Sequence, residues 1–334
     1  DRWHELYLAE GLPARAAHFL PHSRPNFRTH IMDRLPADER EVVAGWREER
    51  PAREFLYPGC NLITTPYLTF SRIFEGVEFR GGMDYCCGEM LFRMGLYEAV
   101  EQVALRLTGW LHRLGAERVY LVCTAGLNMF RNVLPQFGAD FTVIEFVHFQ
   151  EVLLRKLRHG ELGQITPLGW TVTVQDSCHA RMLSPDFADL PRKLLETIGV
   201  EVQESPHSRE SQLCCGIGGG FSHSSAFNPF ELLLSARATS RDHRRTTARA
   251  TCVYCSGCLE MMSVARFVDP SRRPVFHLLE LIQMALGETP RRRQAGLAYQ
   301  FILGAVTRQF PRLLSRNRFW LKDLPVEPDA EEPL

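Results

Sequence analysis

The sequence has no apolar run long enough to cross a membrane and no excess of charge of either sign. A membrane-spanning helix needs about 18 or more consecutive apolar residues, and no run in the chain reaches that length. The N-terminus lacks the charged and then apolar pattern of a secretory signal. Basic and acidic residues number 39 each, so the composition creates no field that would attract nucleic acid. We therefore expect a cytoplasmic protein without a nucleic-acid partner.

Cysteine is scarce, and its placement is uneven. Ten cysteines in 334 residues are too few for a small secreted scaffold held by disulfides. Cysteines that cluster in a cytosolic chain indicate metal or redox chemistry. They occupy seven short places along the chain: Cys60, Cys86-Cys87, Cys123, Cys178, Cys214-Cys215, Cys252 and Cys255 to Cys258.

One loop of the second half has almost no side-chain bulk. Cys214-Cys215 runs directly into a segment with four glycines that ends at Gly220. Glycines let backbone N–H groups approach a bound sulfur closely, so Gly216, Gly218 and Gly219 are predicted to line a cofactor site. Their spacing does not match the Gly-x-Gly-x-x-Gly loop of dinucleotide-binding proteins.

The first half of the chain brings its cysteines to the ends of predicted strands. A strand over 55–57 leads to Cys60, and a strand over 119–122 leads to Cys123 at the start of a helix. Cys86-Cys87-Gly88 lies between them, before a helix predicted over 96–114. Ligands bind at the carboxyl ends of strands in open α/β sheets, so these cysteines are placed for a common site.

The second half repeats this order of elements. A strand over 171–174 leads to Cys178, and a strand over 248–252 precedes Cys255 and Cys258 at the start of a helix. Cys214-Cys215-Gly216 lies between the two strands. Two copies of one βα unit, each with its own cysteines, are the simplest explanation.

These patterns predict an α/β protein with two tandem, duplicated modules, each a small, mostly parallel sheet with flanking helices. The predicted modules cover residues 53–160 and 161–286. A helical extension over 1–52 precedes them, and a tail over 287–334 follows them.

The tail is basic and amphipathic. Between Arg291 and Lys322 it has seven arginines, one lysine and no acidic residue, interleaved with apolar side chains. Such a segment binds an anionic membrane surface or a partner subunit, or it packs on its own protein, and both interpretations stay open here. The acidic, proline-containing end from Asp323 is predicted to be disordered.

Thiolates from distant loops form a soft-ligand pocket that suits zinc or an iron–sulfur cluster. Structural zinc usually takes two pairs of ligands with short internal spacing. Each set here starts with a single cysteine and continues with an adjacent pair, which suits a cluster of several irons better. We therefore predict iron–sulfur clusters. Cys252 is predicted to be a neighbour of the site rather than a ligand, with an alternative ligand role as the second interpretation.

The chain lacks the run Cys-x-x-Cys-x-x-Cys-x-x-x-Cys-Pro that binds clusters in bacterial ferredoxins. It has no string of cubane clusters through which to receive electrons. We expect a ferredoxin-like or other iron–sulfur partner to supply them. Because the sequence begins at Asp1 rather than Met, the alternative is that a missing upstream domain supplies the electrons.

The order of one cysteine, then Cys-Cys-Gly, then Cys-x-x-Cys resembles the CCG cysteine-rich domain family over about residues 53–286. That family includes the B and D subunits of heterodisulfide reductase and the iron–sulfur subunits of glycolate, lactate and anaerobic glycerol-3-phosphate oxidation. The matching motifs are Tyr57-Pro58-Gly59-Cys60, Cys86-Cys87-Gly88, Asp176-Ser177-Cys178-His179 and Cys214-Cys215-Gly216-Ile217-Gly218-Gly219.

The resemblance implies a non-cubane [4Fe-4S] cluster held by five cysteines in each module, with a disulfide cleaved between two such centres. The second set is complete: Cys178, Cys214, Cys215, Cys255 and Cys258. The first set has only Cys60, Cys86, Cys87 and Cys123, because Gly126 stands where the closing cysteine would be. The first site is then a [4Fe-4S] relay, a modified centre or empty. We expect an occupied relay.

Four histidines are candidates for roles near these sites. His179, next to Cys178, is the candidate catalytic residue, since it can protonate a leaving thiol near neutral pH; a structural role is the alternative. His148 and His277 occupy equivalent positions of the repeat, which favours packing at a helix start. His223, just past the glycines, is a weaker candidate for the pocket.

The predicted function is that of an oxidoreductase subunit in a heterodisulfide-reductase-like complex, with an activity that depends on other subunits. It would reduce or form a disulfide-type bond of a small thiol substrate. The alternative is an electron-transfer subunit that links a dehydrogenase to quinone or to a membrane cytochrome. In that case the basic tail would hold the protein at the inner face of the membrane.

Overall fold

The computed structural model describes residues 2–21, 23, 26–220 and 222–323. The strands in these ranges are β1 Leu12–Pro13, β2 Glu54–Tyr57, β3 Arg118–Leu121, β4 Glu145–His148, β5 Trp170–Gln175, β6 Val200–Val202, β7 Ala250–Val253, β8 Val275–His277 and β9 Arg318–Phe319.

Fifteen α-helices occur in the same ranges, and most of them cover the sheets. They are α1 Arg2–Glu10, α2 Phe27–Met32, α3 Ala37–Gly45, α4 Gly59–Thr64, α5 Glu89–Arg93, α6 Tyr97–Leu114, α7 Thr124–Asn128, α8 Phe149–Arg158, α9 Ala180–Leu183, α10 Asp189–Thr197, α11 Ile217–Gly220, α12 Pro229–His243, α13 Ser256–Val268, α14 Leu278–Ala285 and α15 Gln294–Gly304.

The first sheet has three parallel strands in the order β2-β3-β4. Tyr57 at the end of β2 lies opposite Leu121, which lies opposite His148. All three side chains are buried. The strands are short apolar runs of the kind that parallel sheets bury on both faces, and their carboxyl ends meet at one edge.

The second sheet has four parallel strands in the order β6-β5-β7-β8. The central strands β5 and β7 pair from Val172 opposite Ala250 to Gln175 opposite Val253. All four residues of β7 are buried. The α/β class with parallel sheets is therefore confirmed, whereas the origin of the two halves by duplication stays a prediction.

Most predicted elements occur within one or two residues of their expected bounds. Helix α6 ends before Gly115, whose left-handed conformation (φ 65°) closes it as expected. Strand β6 and helix α10 were not predicted. The strand has only three residues, Val200–Val202, which is too short for an alternating pattern to be recognised.

The extension and the tail pack together on the rest of the protein. Strand β1 pairs with β9 in antiparallel fashion, and α15 lies against α13 and α2. Leu297 and Phe301 of α15 are buried. Of the two interpretations of the tail, packing on its own protein is thus observed. The acidic end predicted to be disordered lies, after residue 323, outside the described residues.

An apolar surface of the tail nevertheless faces outward. The side chains of Tyr299, Val306, Phe310 and Leu314 are exposed. Within the described ranges, no helix combines the length and the apolar character that crossing a membrane requires.

Candidate functional site

The cysteines of the first set lie beyond the carboxyl ends of β2 and β3. Cys60 belongs to α4, which begins two residues after β2, and Cys123 is the N-cap of α7 just after β3. Cys86 and Cys87 are buried immediately before α5, and Gly88 between them and α5 has a left-handed backbone. The predicted placement at strand ends is confirmed.

The second set occupies the corresponding positions of the second sheet. Cys178 follows β5 by three residues, and Cys255 is the N-cap of α13 just after β7. Cys258 lies in the first turn of α13, and Cys214 and Cys215 precede α11. All ten cysteines, which lie within the described ranges, are thiols rather than disulfides.

Hydrogen bonds join the thiols of the first set. Cys86 accepts from Cys60 and from Cys87, and these two bonds lower the pKa of the Cys86 thiol well below its usual value. The same bonds, together with burial, raise the pKa of both donors. Burial, followed by repulsion from Cys255 of the second set, raises the pKa of Cys123 to about 12.

All five thiols of the second set form one continuous chain of hydrogen bonds. Cys178 and Cys215 donate to Cys214, while Cys258 donates to Cys215 and to Cys255. The bond from Cys258 lowers the pKa of Cys255 to about 6, although burial opposes this shift. Neighbouring thiolates repel one another. A buried row of thiols can therefore ionise fully only with a strongly positive partner.

The glycine loop leaves space on the side of the thiols. Gly216 has a φ of 111°, and a Cβ at that position would lie 2.6 Å from the carbonyl oxygen of Leu232. A Cβ on Gly218 would instead lie 3.4 Å from Cys214 Sγ and 3.5 Å from Cys178 Sγ. Gly218 therefore brings its backbone next to two thiols with no side chain between them. Gly219 lies on the same short helix, α11.

The backbone of the loop also approaches sulfur, as predicted. The N–H of Gly216 donates to Cys214 Sγ over 3.4 Å. In the first set, the N–H of Gly126 donates to Cys123 Sγ over 3.5 Å. Such N–H donors stabilise negative charge on sulfur. Gly126, which replaces a cysteine, thus contributes a backbone donor.

Two charged residues from the first half reach into the second site. Arg93 Nη1 donates to the carbonyl oxygens of Ile217 and Gly218 over 3.0 and 3.1 Å, and its other nitrogen pairs with Glu89. Glu89 Oε1 lies 3.3 Å from His179 Nε2. Burial opposes ionisation of Glu89, but Arg93 and His179 outweigh it and hold its pKa well below the usual value.

His179 is therefore oriented by a carboxylate next to Cys178. Its side chain is 17% exposed, and its Nδ1 atom is buried without a hydrogen-bond partner in the described residues. A histidine held in this way has one nitrogen fixed and the other available. That arrangement suits a proton donor.

The thiol donors are distributed along the strand ends rather than around one point. Within the described ranges, no three His, Cys, Asp or Glu side chains converge on a point that could hold one metal ion. The thiols instead form two rows, one at the strand ends of each sheet. A cluster presents several irons and accepts ligands on several sides, whereas structural zinc needs one tetrahedral set.

The side chain of Cys252 has different neighbours from the thiols of the two sets. Its side chain is fully buried in β7, and its Sγ lies 4.0 Å from the carbonyl oxygen of Val253. Burial raises its pKa, followed by the charge of Asp176. The prediction that Cys252 is not a ligand stays a prediction.

The remaining histidines have structural positions. His148 Nδ1 accepts from the N–H of Gln150, and His277 Nδ1 accepts from the N–H of Leu279. Both cap the helices that follow, so the predicted role at a helix start is confirmed. His223 stacks on Trp3 of α1, and its Nε2 lies 2.9 Å from the carbonyl oxygen of Met94.

Sequence reasoning missed the charged residues that join the two halves. Glu89 and Arg93 directly follow Cys86-Cys87-Gly88 with the spacing of an ion pair on a helix, which is a local signal. Nothing local shows that this pair contacts the other module, because the contact depends on how the halves pack.

The second half matches a family model. Residues 172–263 match the model of the cysteine-rich domain called CCG. This range contains all five cysteines of the second set.

Three curated proteins illustrate the similarity to known oxidoreductases. The chain is 27% identical over 237 residues to the D subunit of the dihydromethanophenazine:CoB–CoM heterodisulfide reductase of Methanosarcina barkeri, and the match covers 69% of this chain and 57% of the relative. It is 30% identical over 205 residues to the EtfAB:quinone oxidoreductase of Syntrophomonas wolfei, with 53% and 28% covered.

The third relative is the probable iron-sulfur-binding oxidoreductase FadF of Bacillus subtilis, 29% identical over 204 residues, with 58% of this chain and 28% of the relative covered. The matched segments span between 28% and 57% of the length of these three relatives.

Proposed function

We propose that this chain, whose residues 172–263 match the CCG cysteine-rich domain and which is similar to the D subunit of heterodisulfide reductase, is an iron–sulfur redox protein acting on a disulfide-type bond. The observation that carries the proposal is the second site: five connected thiols, the backbone of Gly218 next to two of them and an oriented histidine. The predicted ligands of the two sites together are Cys60, Cys86, Cys87, Cys123, Cys178, Cys214, Cys215, Cys255 and Cys258.

The second site has the parts that a disulfide reduction needs. Cleavage of one disulfide to two thiols consumes two electrons and two protons. A non-cubane [4Fe-4S] cluster bound there would supply electrons one at a time. Gly218 leaves room for a sulfur substituent beside Cys178 and Cys214, since no Cβ fills that space. His179 would deliver a proton to a leaving thiolate, with Glu89 holding its other nitrogen.

The first site would serve as a relay to the second. A [4Fe-4S] cluster on Cys60, Cys86, Cys87 and Cys123 would lie beside the second set. The adjacency is supported by the bond between Thr124 Oγ1 and Ser177 Oγ, 2.6 Å long, which joins the loops of the two halves. Electrons would enter from a ferredoxin-like or other iron–sulfur partner.

We also propose the division into an extension, two modules and a tail with the predicted boundaries. The two separate parallel sheets support it, since each gives its strand ends to one cysteine set. The pairing of β1 with β9 further suggests that the extension and the tail act as one structural unit.

Metal content and spectroscopy of the anaerobically purified protein test this function. About eight irons per chain, with an EPR signal altered by added thiol, are expected for two clusters of which one binds substrate. Reduced dye should then be consumed when a disulfide is added. About four irons with no response to thiol or disulfide would contradict the proposal.

The second candidate function is electron transfer at a membrane. It is favoured by the outward-facing tail surface, in which exposed Val306, Phe310 and Leu314 alternate with the exposed cations Arg308 and Arg312. Apolar side chains beside cations suit an anionic bilayer. The protein would then pass electrons from a dehydrogenase to quinone or to a membrane cytochrome.

Vesicles distinguish this candidate from the first. The protein should sediment with vesicles that contain anionic phospholipid, and the double variant Val306→Gln with Leu314→Gln should stay in solution. Val143→Gln is the matched control, since Val143 is an exposed apolar residue at 72% exposure remote from the tail. Equal binding by all three proteins would show that the tail surface does not bind the vesicles.

A further inference from the structure

A buried arginine of the extension lies close to the first site. Arg28 is only 4% exposed, and its Nε and Nη1 atoms have no hydrogen-bond partner among the described residues. Its guanidinium lies over the ring of Phe27 at 4.3 Å. A buried cation without a hydrogen-bonded anion is strongly destabilising unless another negative group compensates for it.

Helix α2, which carries Arg28, lies beside the first cysteine set through its packing on α4, which carries Cys60. Burial alone would lower the pKa of Arg28, but Cys60 and then Cys86 outweigh burial, with smaller contributions from Glu260 and Glu89, so that the pKa is raised. The capping box of Asn26 and Thr29 fixes the start of α2 and thereby the position of Arg28.

The carboxylates near the first site do not neutralise this cation by contact, as far as the described residues extend. Glu260 is fully buried, and its Oε1 accepts from Thr64 Oγ1 over 2.5 Å. In the second site the situation differs, because Arg93 is paired directly with Glu89. Arg28 therefore lacks the direct carboxylate partner that Arg93 has.

We propose that Arg28 is the fixed charge-compensating residue of the first site, supplying a cation and N–H donors to a site that has four cysteines instead of five. The inference rests on the proposed cluster at Cys60, Cys86, Cys87 and Cys123. The first site thereby has one thiolate fewer and one cation more than a complete set. A more positive site favours the reduced, more negative state of a cluster, so Arg28 raises the reduction potential of the relay.

Potentiometric EPR on the full chain tests this role with two variants and one control. The first-site signal is identified as the one lost in Cys87→Ser. Arg28→Met replaces the buried cation by an apolar side chain of similar length, and Arg28→Lys keeps the charge. Arg34→Met is the control, because Arg34 is an exposed arginine just after the same helix.

In Arg28→Met, the first-site potential should shift to more negative values, or the iron of that site should be lost, with the second-site signal unchanged. Arg28→Lys and Arg34→Met should remain close to the wild type. Equal shifts in Arg28→Met and Arg28→Lys, or none in either, would overturn the inference. If Arg28→Met lost both centres, the test would be Arg28→Lys. A lowered first-site potential in Arg28→Lys would overturn the inference, and a first-site potential equal to that of the wild type would support it.

The two failures are distinguishable. A wild-type protein without iron at the first site would overturn the proposed relay and this inference together. Iron at the first site with a potential insensitive to Arg28 would overturn the inference alone.

Discussion

The two cysteine sites differ in the charged groups that surround them. The first has four thiols and a buried cation, Arg28, which no carboxylate among the described residues contacts directly. The second has five thiols, an arginine paired with Glu89, and a titratable His179 beside Cys178. One site has a fixed charge, whereas the other has a neutral ion pair with a proton donor.

This difference suggests a division of roles between similar frameworks. Both sites sit at the carboxyl ends of parallel strands, and both have a thiol at the N-cap of the helix after a strand. A fixed cation suits a centre that only changes its electron count, while a histidine suits a centre where bonds to sulfur are made and broken. The residues around the thiols thus distinguish the sites more than the thiols themselves.

The largest expected effect comes from removing a single thiol from either set. Cys258→Ser should abolish disulfide-dependent dye oxidation and remove about four irons per chain, because Cys258 bonds two other thiols of the second set. Cys87→Ser should remove a similar amount of iron but leave the thiol-sensitive EPR signal. Iron analysis and EPR measure both effects.

Cys252→Ala is the matched control for these two variants. It removes a buried cysteine from β7 without touching either set, so iron content and signals should be retained. Loss of iron in Cys252→Ala would instead indicate that Cys252 is a ligand, and the second set would then have six members.

A smaller effect is expected from adding a side chain next to the thiols of the second site. In Gly218→Ala, the new Cβ would lie 3.4 and 3.5 Å from two thiols, where a substrate sulfur is proposed to approach. Thiol binding should weaken about tenfold, or ~1.4 kcal/mol, with iron retained. The measurement is a thiol titration of the EPR signal.

Gly296→Ala serves as the control for this titration, since a Cβ there meets nothing within 4 Å. Unchanged thiol binding in both variants would mean that substrate approaches from elsewhere. The second site would then lose the feature that most clearly separates it from the first.

Removing the carboxylate behind His179 should have an effect of similar size on rate. Glu89→Gln leaves the side-chain shape but removes the charge that faces His179 Nε2 at 3.3 Å. We expect disulfide reduction to slow about tenfold, because the carboxylate no longer holds His179 beside Cys178. The rate of dye oxidation with added disulfide measures this effect.

The exposed Glu98, which is 64% exposed in its contact with His4, gives the matched control Glu98→Gln. Equal rates in Glu89→Gln, Glu98→Gln and the wild type would mean that the Glu89 carboxylate does not support the reaction. In that outcome the proposed role of His179 as a proton donor would lose its support, and the second site would no longer differ from the first in this respect.

The sequence predicted the cysteine positions because each signal is local. A short apolar strand followed directly by Cys60, Cys123 or Cys178 indicates a thiol at a strand end. The helix starts at His148 and His277 were predicted for the same reason. These features depend on a few neighbouring residues.

The charged surroundings of the sites could not be predicted in this way. Arg28 precedes Cys60 by 32 residues and meets it only because α2 packs on α4. Glu89 reaches His179 across the two halves. The tail also packs against the extension through β1 and β9, a long-range pairing that its amphipathic composition does not reveal.

The smallest expected effect concerns the stability of the extension that encloses the first site. Glu39 of α3 is 1% exposed, and Arg293 of the tail lies 3.4 Å from it. Burial raises the pKa of Glu39, and Arg293 only partly offsets this. The raised pKa means that folding favours the protonated acid. Its stabilising contribution is full below the ordinary pKa of about 4.3 and declines as the pH rises through the folded value.

Glu39→Gln should therefore be more resistant to urea than the wild type at about pH 8, with a smaller difference at about pH 5. Glu41→Gln, an exposed position on the same helix, should match the wild type at both. A gain for Glu39→Gln that did not depend on pH would show that hydrogen bonding rather than ionisation is responsible.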